Sequence, residues 1–128
     1  MQGVTLVAYD ERERCNYQYV VLEVDESATR VSRDHLIEAL WAENVIVRKY
    51  FAPGCHDMQV YRSLYPRVEP LEATERLAER LLILPTGTVI ADREIDAICS
   101  VLRLAVAESA ALKALLRNRD GTEVRPAA

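Results

Sequence analysis

Val20, Leu22 and Val24 fall on one face of an extended segment, and Tyr17, Tyr19, Val21 and Glu23 fall on the other. This alternation predicts a strand over residues 15–25, the clearest in the chain. A shorter apolar run over 3–9 predicts a strand before it. The charged stretch 10–14 between them makes the two an antiparallel pair. Residues 25–32, DESATRVS, read as a loop. Ser32 then caps a helix beginning at Arg33, with Val31 before the cap and Leu36 at the fourth helical position, the arrangement of a hydrophobic staple. Leu36, Ile37, Leu40 and Trp41 form its apolar stripe, and Asn44 ends it in the left-handed conformation.

The run 45–51 predicts a third strand, broken by Pro53-Gly54. One or two helical turns follow over 57–65. LEATERLAERLLIL reads as a helix with Thr74, Leu77, Ala78 and Leu81 inward and Glu72–Arg76 paired outside. Residues 83–87 leave room for an edge strand, with which Pro85 agrees. Asp92 is expected to cap a last helix carrying Ile95, Ile98, Cys99, Leu102, Ala105 and Val106. The helical pattern continues through Leu112, Leu115 and Leu116 to about Arg117. The order β-β-α-β-α-α-β-α predicts an α+β fold: a two-layer sandwich, with a small, mostly antiparallel sheet and helices on one face. The other face displays Tyr17, Tyr19 and Val21, apolar enough to expect a cover. Residues 1–117 form the domain, and 118–128 form a polar tail expected to be disordered.

Composition narrows the function. The chain has 128 residues, half of them hydrophobic and 28% charged, which suits one globular domain. A net charge of -4 excludes the basic footprint of a nucleic-acid binder. Apolar runs fall short of the roughly 18 residues of a membrane span. Three widely spaced cysteines form no CxxC pair, so reduced thiols in a cytoplasmic protein are expected. Of sixteen basic residues only Lys49 and Lys113 are lysines, which limits amine chemistry to two positions.

Cys55-His56-Asp57 invites a nucleophile, base and orienting acid. Adjacent residues point apart, however, whereas a thiol and its imidazole must meet within hydrogen-bond reach. The spacing favours a half-buried Cys55 beside a surface His56. The same three residues lack the paired spacing of a zinc site. Four glycines make no phosphate-cradling loop. Tyr50, Phe51, Tyr61 and Tyr65 leave two roles open, pocket wall or core and interface packing.

Three stretches in order, CNYQYVVLEVD, SRDHLIEALWAENVIVRKYFAPGCHDMQVYRSLYP and TERLAERLLILPTGTVIADREIDAICSVLRLAV, resemble the C-terminal small domain of the DegT/DnrJ/EryC1/StrS family. These are pyridoxal-phosphate-dependent sugar aminotransferases of the aspartate-aminotransferase fold. The resemblance covers residues 3–106, the last third of a family member. It implies that pyridoxal phosphate belongs to a large N-terminal domain, which supplies the Schiff-base lysine, the acidic partner of the pyridine nitrogen and most phosphate contacts. No cofactor, catalytic or metal residue is then expected in this chain. His56 matches the last His of a V-H-Y-x-P-L-H segment at the substrate mouth; KYFAPG replaces the earlier His. Substrate-side residues are expected at His56, Tyr50 and Tyr61, toward a nucleotide sugar in a complete enzyme. Tyr61-Arg62 matches a Y-R pair read mainly as packing, with the Arg able to steer a phosphate. The expected partner of the apolar face is a large domain or a full-length family subunit, with self-association when that face is bare. The chain alone is expected to be inactive. The alternative is a free-standing binding or regulatory module that pairs with family subunits.

Overall fold

The computed structural model describes residues 1–65 and 69–120. Strand β1 (Val4–Leu6) pairs antiparallel with β2 (Val20–Val24), with Val4 opposite Val24 and Leu6 opposite Leu22. The period of two carries Leu22 and Val24 into the core, as the alternation predicts. The strand predicted over 15–25 is shorter, because the phenol of Tyr9 takes over the backbone of Tyr19. Its hydroxyl donates to Tyr19 O at 2.7 Å and accepts from Tyr19 N at 3.2 Å. Tyr17, at φ 50°, lies outside the ladder.

The predicted loop 25–32 contains a short helix, α1 (Glu26–Thr29). Asp25 caps it, accepting from Ser27 N at 3.0 Å, and Arg30 ends it at φ 62°. Helix α2 (Arg33–Ala42) starts at the predicted Ser32 cap. His35 N donates to Ser32 Oγ at 3.2 Å, and Ser32 N donates back to His35 Nδ1 at 3.0 Å. A histidine thus fills the capping-box place usual for Glu or Gln. Asn44 is left-handed at φ 59°. Leu36, Ile37 and Leu40 are buried, but Trp41 is half exposed and donates its Nε1–H to Val47 O at 2.9 Å.

The predicted third strand narrows to β3 (Arg48–Lys49), with buried Val47 just before it. A 3₁₀ turn (Cys55–Asp57) and helix α3 (Gln59–Leu64) follow. Helix α4 (Glu72–Arg80) stops earlier than its periodicity predicts, and Leu81 begins strand β4 (Leu81–Leu84). This strand is interior, not an edge: the sheet order is β1-β2-β4-β3, all antiparallel neighbours. Four consecutive apolar residues fit a helix end or a strand equally well by periodicity. Ladder bonds on both sides decide for the strand, and Pro85 lies just past it, where its missing N–H costs nothing.

Helix α5 (Asp92–Ala107) is capped by Ala91 rather than by the expected Asp92. Glu94 Oε2 accepts from Ala91 N at 3.0 Å, and Asp92 instead sits in the first turn, where an acid suits the helix dipole. Ile98, Leu102 and Ala105 of its predicted stripe are buried, whereas Ile95 is half exposed. The continuation breaks at Glu108, and α6 (Ser109–Asp120) follows, with Leu112 packed against the core. It runs three residues past the predicted boundary at 117; the rest of the predicted tail, 121–128, lies outside the described residues.

The core lies between one sheet face (Leu22, Val24, Leu82) and helices α2 and α5. This is the predicted α+β sandwich. Leu82 sits at its centre, opposite Leu22 on one side and Lys49 on the other, and fully buried. Leu82→Ala is expected to cost about 2–5 kcal/mol of stability, measured by urea denaturation; a loss below about 1 kcal/mol would contradict this placement.

Candidate functional site

The segment after β3 leaves the sheet through Tyr50 and Phe51, which has φ 44°, and a cis Ala52-Pro53 peptide. Gly54 is buried directly beneath the His56 ring. A Cβ at Gly54 would stand 2.7 Å from His56 Cε1 and 2.9 Å from Nδ1, too close for any other residue without displacing the imidazole. The 3₁₀ turn then reverses the expected exposures. Cys55 is exposed, and the His56 side chain is only 13% exposed. In so tight a turn, neighbouring side chains diverge, and the apolar and acidic surface of α4 lies on the His56 side. The geometry therefore separates the thiol from the imidazole, against a Cys-His nucleophile. Arg62 Nε and Nη2 both donate to Asp57 Oδ1, at 3.0 and 2.6 Å, committing that guanidinium to the turn.

His56 lines a hollow of about 260 Å³ with Arg33, Ala52, Pro53, Gly54, Asp57, Glu75, Ala78 and Glu79. Its Nε2 is shut off from solvent and makes no aligned hydrogen bond, although Glu75 Oε1 stands 3.4 Å away. Arg33 forms the floor, 6% exposed, and its Nη1 donates to Ala78 O at 2.9 Å and Leu81 O at 2.8 Å. Sequence reasoning missed Arg33, Gly54 and Glu75. The glycine in a Pro-Gly pair was legible only as a turn; the other two are ordinary helix-surface residues by pattern.

Tyr50 belongs to a different group. Its ring meets Tyr19 at a centroid distance of 6.0 Å and Phe51 at 4.7 Å, both edge-on. Beside it, a wider hollow of about 580 Å³ is lined by Tyr19, Ile46, Arg48, Lys49, Phe51 and Thr86, among others. Phe51 is 69% exposed there, and Tyr61 is exposed on α3. Of the three sequence-predicted residues, only His56 lines either hollow. Among the described residues no group of three or more potential ligands is placed to hold a metal, and no helix is long and apolar enough to cross a membrane.

The four-stranded antiparallel sheet with helices packed on one face makes this an α+β two-layer domain, and the solved structures that share it include aminotransferases. The solved structure of DesI with its TDP-sugar product superposes with a TM-score of 0.82 at 43% identity, covering 90% of this chain and 29% of that one. The aminotransferase TlmJ from Streptoalloteichus hindustanus shares the fold, with a TM-score of 0.67 at 22% identity over 82% of this chain and 26% of that one. The DegT/DnrJ/EryC1/StrS aminotransferase family model matches residues 1–103, and the chain belongs to that family. The dTDP-4-amino-4,6-dideoxy-D-glucose transaminase of Escherichia coli is 32% identical over 87 residues, 67% of this chain and 23% of that protein. The chain thus spans about a quarter of the length of the relatives it matches.

The family's cofactor is pyridoxal phosphate, which needs a lysine beside a carboxylate for the pyridine nitrogen and a phosphate cradle. The residues here do not fit it. Lys49 Nζ is bound to Asp34 Oδ2 at 2.8 Å, and the hollow beside it is lined by no acidic side chain. Lys113 lies on α6, remote in sequence from either hollow's lining.

The Lys49–Asp34 pair ties β3 to the first turn of α2, and Arg33 Nε also donates to Asp34. Burial pushes the Asp34 carboxyl up, but hydrogen bonds from Lys49 and Arg33, with their charges, outweigh it and hold it below the ordinary value. Its folded-state pKa is therefore depressed. The stabilisation is present above the unfolded value, about 3.9, and is lost as pH falls through the lower folded value. The carboxyl is about half exposed, so screening keeps this contribution under about 1 kcal/mol. Asp34→Asn is expected to lower the melting temperature slightly at neutral pH, with the gap from wild type narrowing below about pH 4. A gap that widens in acid would be inconsistent with this.

Proposed function

We propose that this chain is the small-domain portion of a pyridoxal-phosphate-dependent nucleotide-sugar aminotransferase, acting on the dTDP-sugar class named for its relatives. It supplies the substrate-side lip, the segment 50–65 that follows β3, and is inactive alone. The observation that carries this reading is a family match over 1–103 in a chain whose two lysines both lie outside any cofactor-like setting. Transamination with pyridoxal phosphate would require a lysine beside the cofactor, and a large domain of the same family would bring it. Within the lip, His56 is the substrate-side residue nearest a built hollow, and Tyr50 and Tyr61 present aromatic and phenolic edges beside the same segment. The exposed side chains Tyr19, Ile46 and Phe51, which line the wider hollow together, are the surface that a large domain or a family subunit would cover.

A second reading, a free-standing module that pairs with family subunits, is favoured by a core that closes within this chain, with Leu112 of α6 packed against it. Co-purification with a full-length family subunit would support it. A well-behaved monomer that captures no such subunit would count against it.

Mixed with pyridoxal phosphate, the purified chain is expected to show no absorption band that survives dialysis. A stoichiometric, dialysis-resistant band lost in Lys49→Ala would overturn the reading. With the chain joined to a family large domain, His56→Ala should lower kcat/KM by about tenfold, the worth of one well-placed hydrogen bond. An unchanged value would remove His56 from the site.

A further inference from the structure

We propose that Glu75 is the positioning residue of His56. Its carboxylate holds the imidazole as the Nε2–H tautomer with the ring pinned on Gly54, leaving Nδ1 as the acceptor nitrogen of the lip. The inference rests on reading His56 as a substrate-side residue, and it names the group that orients it. Three observations carry it. The His56 ring is confined from below, since even one methyl group at Gly54 would overlap Cε1 and Nδ1. Its Nε2 is sealed from water, makes no hydrogen bond to any other group, and has Glu75 Oε1 at 3.4 Å. Glu75 is itself held in place, because the same oxygen accepts from Leu71 N at 3.1 Å, at the start of α4.

A buried ring nitrogen left without a partner is costly, and a carboxylate is the acceptor that best satisfies an imidazole N–H. Of the other charged groups that line the hollow, Arg33 is a donor already given to Ala78 O and Leu81 O, and Asp57 Oδ1 accepts from Arg62. Glu79 lines the same hollow one turn along α4 and adds a second negative charge on the Glu75 side. Carboxylate, imidazole and glycine thus form a fixed stack across the hollow, joining the lip to α4.

The test needs only this chain. Both ring nitrogens of its two histidines are read by long-range ¹H–¹⁵N correlation at about pH 8.5, where an ordinary imidazole is neutral. His35 is an internal control, because its Nδ1 already accepts from Ser32 N in the cap of α2. His56 is expected to show a protonated, slowly exchanging Nε2 and a bare Nδ1. Glu75→Ala should lower the His56 tautomer ratio by about tenfold while His35 keeps its own. Glu75→Gln, whose amide oxygen still accepts, should lower it less. An Nδ1–H tautomer in the unaltered chain, or an unchanged ratio in a folded Glu75→Ala chain, would overturn the proposal. If Glu75→Ala loses the His35 pattern and with it the fold, the unaltered chain and Glu75→Gln decide. In the enzyme joined to a large domain, adding Glu75→Ala to His56→Ala should cause no further loss of kcat/KM; additive losses would mean that Glu75 acts elsewhere. Loss of the tautomer effect with His56→Ala still impairing turnover would reject the positioning role alone. The opposite result would reject the substrate-side role of His56 alone.

Discussion

The guanidinium of Arg33 is the joint on which both layers and the lip depend. It is almost fully buried at the start of α2, yet its Nη1 reaches the carbonyls of Ala78 and Leu81. Those carbonyls belong to the last turn of α4 and the first residue of β4. A helix end leaves carbonyls without intrahelical partners, and a cation there is favoured by the helix dipole as well as by hydrogen bonding. Removing Arg33 would leave these carbonyls without that donor, at about 1–3 kcal/mol for each one left unsatisfied. Arg33 therefore fixes where α4 stops and where the interior strand begins. Through Asp34 and Lys49 the same turn of α2 also holds the edge strand β3.

The lip follows from that joint. The hollow has Arg33 as its floor, α4 as one wall and the Gly54–Asp57 turn as the other. Moving α4 by a residue would carry Glu75 away from the His56 ring, because side chains one position apart on a helix point about 100° apart. A fold contact made by an arginine that touches no reacting atom is in this way the support of the site.

Residue patterning read the inward face of β2 and the first long helix well. Alternation over 20–24 placed Leu22 and Val24 inward, and Ser32, Asn44 and the Leu36-Ile37-Leu40 stripe marked α2 from cap to cap. The failures have local causes. Leu81–Leu84 is apolar at every position, so no period separates it from α4; only pairing with β2 and β3 makes it an interior strand. The strand predicted over 15–25 was cut short by one tyrosine hydroxyl ten residues away. Exposure in the 3₁₀ turn was inverted because Cys55 and His56 differ by one position, and which of them faces α4 depends on the placement of α4. The family was legible from the order of its motifs; Arg33, Gly54 and Glu75 were not, since each acquires its role from a contact distant in the chain or from a space that only the packed structure defines.

Fold and chemistry separate cleanly in this chain. The family's small-domain architecture is present to a TM-score of 0.82 with DesI, yet Lys49 is tied to Asp34 and no acidic side chain lines the hollow beside it. What remains is shape: a sheet face for packing, a lip with one sheltered imidazole, and a charged hollow behind it. Under the proposed function, shape of this kind would contribute to catalysis by holding a group in one orientation before substrate arrives, so that no ordering is left for the reaction step. That is a task a small domain performs without carrying a reacting atom. An imidazole free in solvent would take many orientations, whereas the His56 ring is confined between Gly54 and the Glu75 side of α4.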